Sequence, residues 1–152
     1  LPDMTSTWAT TASSTFDLTG VQLEVGEKAT PFEHKSYGDE LIRCQRYYEK
    51  SYDIDVAPGT ASDDGMFHWQ SNGSGNSIAS FPARFTVRKR SEPTVVVYNP
   101  TTGASGSLRC ENGTNQAGQA YGNGQTGFNF RTALAATTDD RYVGHYTAEA
   151  EL

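Results

Sequence analysis

Phe81-Pro-Ala-Arg-Phe-Thr-Val-Arg88 decides the fold class. Phe81, Ala83, Phe85 and Val87 alternate with Arg84, Thr86 and Arg88, the period-two pattern of a half-buried strand. Ser91-Glu-Pro93 turns the chain, and Thr94-Val-Val-Val-Tyr98 reads as a more fully buried strand. Asn99-Pro-Thr-Thr-Gly103 turns it again, into a weaker strand from Ser107 to Cys110.

The same texture runs outward. Gln45 to Tyr52 and Met66 to Gln70 read as strands upstream. Between them, residues 53–65 form a loop rich in Asp, Gly and Ser. Downstream, Glu111 to Thr126 is rich in Gly, Asn and Gln and reads as a surface loop or a hairpin with a long tip. Phe128 and Phe130 alternate. Arg141 to Leu152 closes the chain as a strand, with Tyr142, Tyr146, Ala148 and Ala150 opposite Val143, His145, Thr147 and Glu149. Ser36 to Arg43 reads as a short helix, with Asp39 and Glu40 in its first turn and Arg43 near its end, as the dipole favours. Roughly eight short strands joined by turns predict an all-β fold. The expected architecture is an antiparallel β-sandwich, jelly-roll-like, with one short helix near residues 36–43.

The N-terminal part carries its own strand pattern. Thr5 to Thr11 is β-favouring around Trp8. Phe16 and Leu18 alternate in one phase and Val21, Leu23 and Val25 in the other, which predicts a bulge at Gly20. These apolar residues need a sheet to bury them. A start at Leu1 rather than Met fits a piece of a longer protein.

Composition narrows the function. Net charge is −6 and pI about 4.9, so phosphate backbones are repelled and no nucleic-acid partner is expected. Arg84, Arg88, Lys89 and Arg90 are a local exception, read as a solvated strand face with Arg84 and Arg88 on one side and a charged turn after it. Apolar content is 36%, low for a monomer, and burial against identical subunits would complete the core. No apolar run approaches the ~20 residues of a membrane helix, so no membrane insertion is expected. Cys44 and Cys110 are too few for a disulfide scaffold and are read as reduced and buried; nothing in the sequence sets their strands side by side.

Chemical motifs are weak. Gly122-Asn-Gly124-Gln-Thr-Gly127 matches a dinucleotide fingerprint by letter, but a strand follows it where a helix is required. Asp53, Asp55, Asp63 and Asp64 share a loop without Ca²⁺-loop spacing and read as solvated acids. His34, His68 and His145 lack ligand spacing, so no metal site is expected and packing roles are the default for His68 and His145. No nucleophile motif such as GxSxG occurs, and no cofactor is implied. Asn72-Gly-Ser and Asn112-Gly-Thr are sequons by pattern but read as turn residues. Sugar recognition pairs an aromatic platform with amide and carboxylate groups for hydroxyls. Trp69, Tyr98 and Tyr121, with Asn72, Asn112 and Asn123 in the polar loops, are the candidate glycan-binding residues.

Several segments together carry a resemblance. They are Val21-Gln-Leu-Glu-Val-Gly26, Ala29-Thr-Pro-Phe-Glu-His34, Tyr37-Gly-Asp-Glu-Leu41, Cys44-Gln-Arg-Tyr-Tyr48 and the terminal His145-Tyr-Thr-Ala-Glu-Ala-Glu-Leu152. The chain resembles the C-terminal region of bacteriophage tail fibre, tailspike and related receptor-binding proteins. There, the end of a carbohydrate-binding-like jelly roll passes into a small trimeric β domain. The resemblance implies that residues 1–34 end a preceding module and residues 35–152 form the C-terminal β-sandwich. It implies a non-catalytic homotrimer in the virion tail, extracellular after synthesis in the bacterial cytoplasm. Its partners would be a bacterial cell-surface polysaccharide and other virion tail proteins. Tyr47, Phe85, Val87, Val95, Val97, Phe128, Phe130 and Tyr146 are the expected core or subunit contacts. A purely structural virion clamp or cap, and an accessory domain of a glycan-degrading tailspike, remain alternative readings.

Overall fold

The computed structural model describes residues 15, 17–70, 77–112, 114–136 and 141–151. The side chains of residues 77–79 and 133–136 fall outside the description. The chain divides into two units, Leu1–Ser36 and Tyr37–Leu152.

The described residues of the first unit form neither strand nor helix. Leu18, Val21, Leu23 and Val25 are exposed, the last two fully. The alternation over residues 18–25 is present, but among the described residues no strand pairs with it and the segment is not a strand as expected. Gly20 does take the left-handed conformation, at φ 69°. Side chains fix the loop instead: Thr30 Oγ1 donates to the Glu24 carboxylate at 2.6 Å, and the Glu33 amide donates to Gln22 Oε1 at 2.9 Å. Trp8, Phe16 and the 5–11 segment lie outside the described residues.

The second unit is all-β with one helix. Helix α1 spans Tyr37–Gln45, and the strands are β1 Tyr48–Lys50, β2 Phe67–Gln70, β3 Ser77–Arg84, β4 Thr94–Tyr98, β5 Ser107–Cys110, β6 Gln116–Gly124, β7 Gly127–Ala136 and β8 Arg141–Glu149. Every pairing among them is antiparallel. The strands belong to one eight-stranded antiparallel sheet that curls over its core, which bears out the expected all-β fold.

Strand β8 organises the sheet. Strands β1 and β4 both oppose Thr147, Ala148 and Glu149, so they flank it on opposite edges. Strands β2 and β5 both oppose Val143 and Tyr142, so they flank its other half. The sheet then runs outward from β5 through β6 and β7 to β3. Strand β3 ends that run, which is why Pro82, with no amide hydrogen to donate, sits in it opposite Asn129. Curling returns β3 to β2, where Phe81 stacks on Trp69 with ring centroids 6.0 Å apart.

Every residue from Tyr142 to Ala148 is buried. On one side Tyr142, Tyr146 and Ala148 join Trp69, Phe85, Val97, Leu108, Phe128 and Phe130 in the core. On the other side Tyr52 stacks on His145 at 3.9 Å, so the segment after β1 covers that face. Of the expected contact residues, Phe85, Val97, Phe128, Phe130 and Tyr146 are core, Val95 packs against it, Val87 is half-buried and Tyr47 is exposed.

Several boundaries differ from the sequence reading: the strand expected over residues 45–52 is Tyr48–Lys50, and the one expected to reach Leu152 ends at Glu149. Helix α1 runs two residues past Arg43, to Gln45. The ladder of β3 stops at Arg84, although the burial alternation continues through Val87; Arg84 and Arg88 therefore do not share a strand face. The stretch after Glu111, read as a surface loop or a hairpin with a long tip, is a hairpin: it contains β6, which pairs with β7, but its tip is short, Gln125 and Thr126 alone. The Gly122–Gly127 motif is thus a hairpin, with Gly122 at φ 61° beside a register shift. Cys110 is buried as expected, but Cys44 is exposed, because α1 buries none of its residues. Neither is in a disulfide.

Leu108 is fully buried where glycines face it. A Cβ on Gly118 would lie 2.3 Å from Leu108 Cγ, and one on Gly144 would lie 2.5 Å from Leu108 Cδ2. Overpacking of this kind costs about 1–3 kcal/mol. Gly144→Ala is therefore expected to destabilise the domain by that amount in urea unfolding. The same substitution in a Leu108→Ala background should cost less, because the clashing methyl is gone. Equal costs in both backgrounds would remove Leu108 as the reason for Gly144.

Candidate functional site

The turn after β4 and strand β5 build an open recess lined by polar side chains. Asn99, fully buried, fixes the turn: its Oδ1 accepts from the Thr101 amide at 2.9 Å and the Thr102 amide at 3.2 Å. Thr101 is thereby presented to solvent beside Arg109 of β5. Arg109 Nη1 donates to Asp63 at 2.8 Å and to Thr101 Oγ1 at 3.0 Å, and Nη2 reaches the Met66 sulfur at 3.7 Å. A groove of about 550 Å³ lies along Thr101, Arg109, Cys110, Glu111 and Asn115. A second recess of about 310 Å³ shares Thr101 and Arg109 and extends over Ser62 and Asp63. Glu111 of the groove is ion-paired to Arg141 at 3.2 Å. Hydroxyl, amide, carboxylate and guanidinium groups thus line one open surface, a set suited to a hydroxyl-rich ligand.

The sequence candidates do not converge there. Trp69 is a core residue, 6% exposed and stacked on Phe81, Phe130 and Tyr142, so it offers no platform. Its place in β2 against the curled sheet explains this. Tyr98 is half-buried and meets Tyr52 edge-on at 6.2 Å. Tyr121 is exposed on β6 with the Arg131 guanidinium 4.9 Å over its ring. Asn123, on the same strand, donates to the Pro93 carbonyl at 3.5 Å. Asn112 holds its own turn, accepting from the Thr114 amide at 2.9 Å, between groove residues Glu111 and Asn115. Asn72 lies outside the described residues. Sequence reading missed Arg109 and Thr101; a lone Arg in a four-residue strand carries no local signal.

A hydroxyl–imidazole pair also escaped it. Ser51 and His145, 94 residues apart, meet with Oγ 2.8 Å from Nδ1. The His145 Nε2–H donates to the Ser62 carbonyl at 2.9 Å; burial disfavours the charged imidazole, so at neutral pH Nδ1 accepts from the Ser51 hydroxyl. Ser51 Oγ in turn accepts from the Tyr146 amide at 3.0 Å. His145 has no exposed surface and both nitrogens are occupied, which makes this a structural network rather than a nucleophile with its base. Asp63 ends in its ion pair with Arg109, and among the described residues no three His, Cys, Asp or Glu side chains converge on a metal position.

Comparison of the chain with protein-family models, with curated proteins and with solved structures found no match.

Burial holds the His145 imidazole below its ordinary range, only partly offset by its hydrogen bond to Ser62 and by Asp63 and Asp64. Unfolding releases it to about 6.5. Below that pH the unfolded chain binds a proton that the folded chain refuses, so stability is full above about 6.5 and is lost as pH falls towards the folded value. Urea midpoints are expected to decrease between pH 7 and pH 5. His145→Gln should flatten that slope; an unchanged slope would dismiss His145 as its source.

Proposed function

We propose that this chain is the C-terminal module of a bacteriophage tail fibre or tailspike, which assembles as a homotrimer and touches a bacterial surface glycan without catalysis. In this reading residues 1–34 end a preceding module and residues 35–152 are the distal domain, carried extracellularly on the virion tail.

The observation that carries assembly is helix α1. It has nine residues and buries none of them. Isolated helices need about 12–15 residues to persist in water, so α1 calls for a surface to pack on. Tyr37, Ile42, Tyr47 and Tyr48 are exposed on it and just after it. A further copy of the chain supplies such a surface. The resemblance of the residue 21–48 segments to tail-protein junctions supports the same reading.

The glycan arm rests on the Arg109 groove, whose open polar lining suits sugar hydroxyls. One feature favours the alternative of a purely structural clamp: Trp69 is withdrawn into the core, and among the described residues none that lines the groove is aromatic. Fluorescently labelled protein added to bacterial panels separates the two. Staining of at least one strain, reduced by Arg109→Ala, is expected of the receptor-binder. A folded protein that stains no strain would leave only the clamp.

A further inference from the structure

Four arginines of the second unit, Arg46, Arg84, Arg88 and Arg90, are exposed, and none is in an ion pair among the described residues. Their neighbour Lys89 is buried and already neutralised by Glu49 at 2.6 Å. Uncompensated positive charge therefore gathers at one place on a chain of net charge −6.

Neutral groups hold these arginines in position. Arg88 Nε donates to Gln125 Oε1 at 2.9 Å, and its Nη2 donates to the same oxygen. Gln125 Nε2 donates onward to the Arg90 carbonyl at 3.3 Å, while its own carbonyl accepts from the Lys89 amide at 2.8 Å. The Arg90 amide donates to the Arg46 carbonyl at 2.9 Å, and its guanidinium lies 5.5 Å over the Tyr47 ring. Arg84 Nη1 donates to Thr126 Oγ1 at 3.4 Å. A groove of about 410 Å³ runs between Arg46, Val87, Arg88, Arg90 and Gln125.

An amide oxygen in the fork of an arginine occupies the place that a carboxylate oxygen fills more strongly. We propose that this groove is an anion site that takes the carboxylates of an acidic surface polysaccharide. Naming a polysaccharide as bearer of the carboxylate rests on the receptor-binding role proposed above; the anion site itself does not. Nucleic acid fits less well, because a chain of net charge −6 repels a dense phosphate backbone and offers four arginines rather than an extended basic track. An acidic polysaccharide spreads its charge more thinly and adds hydroxyls for Gln125 and Thr126.

Biolayer interferometry of the intact chain on immobilised polygalacturonate and polysialate, with dextran and oligo-thymidylate as comparison surfaces, tests the proposal. Binding to at least one acidic glycan is expected, with none to dextran and less to oligo-thymidylate. Arg88→Ala should weaken it about tenfold or more. Gln125→Glu should do the same while leaving every arginine in place, because its carboxylate fills the Arg88 fork. Circular dichroism would confirm that both variants keep their fold. No binding to either acidic glycan, unchanged affinity in Gln125→Glu, or tighter binding to oligo-thymidylate would each overturn it. If wild type and Gln125→Glu stain bacteria equally, the anion site fails and the receptor role stands. If no strain is stained yet Arg88-dependent glycan binding persists, the site stands and the receptor role fails.

Discussion

The structure depends on one strand with no free side. Strand β8 has neighbours on both edges along most of its length and is buried on both faces from Tyr142 to Ala148. Such a strand is ordinary in a sheet covered on two sides, but here the second cover is a segment without regular structure. Residues 51–65 can serve because their polar groups are satisfied locally. Ser51 and the Ser62 carbonyl bond to His145, Tyr52 stacks on it, and the Tyr52 hydroxyl accepts from the Gly59 amide at 3.2 Å. The cost of burying an imidazole is thereby tied to the strand that holds the sheet together.

A second buried network secures the end of the unit where the helix enters. The Glu49 carboxylate accepts from Lys89, from the Thr86 amide at 3.0 Å and from the Tyr146 hydroxyl at 3.0 Å. Burial and that neighbouring carboxylate push the Tyr146 phenol well above its ordinary range, so it stays a donor at any physiological pH. A buried pair with only one partner each would be a liability; here the added hydrogen bonds offset the desolvation. The same network pins residues 85–90 after β3 ends, and this sets the arginines around Gln125.

Where side-chain period and turn chemistry act locally, the sequence was legible. Thr94–Tyr98 and Ser107–Cys110 are strands at the bounds their residues suggest, and α1 begins within a residue of its expected start. Strand β6 was legible only as one of two readings, loop or hairpin, because Ala, Gly and Gln favour no strand, and pairing with β5 and β7 makes one of them. Residues 18–25 err in the other direction: their pattern is that of a strand, but a strand needs a partner. Trp69 shows the limit for sites. Aromatic identity suggests a platform, yet the curl that brings β3 to β2 buries it. The basic cluster was visible as composition, but its holding groups, Gln125 and Thr126, lie some forty residues away.

Among the described residues the second unit has a core of its own, while no residue of α1 is buried and Leu18, Val21, Leu23 and Val25 are exposed. Proposed assembly turns on that contrast, and native mass by light scattering at micromolar concentration tests it most directly. A mass three times 16.5 kDa is the expected result. A folded, monodisperse monomer would contradict it and leave a stand-alone β domain.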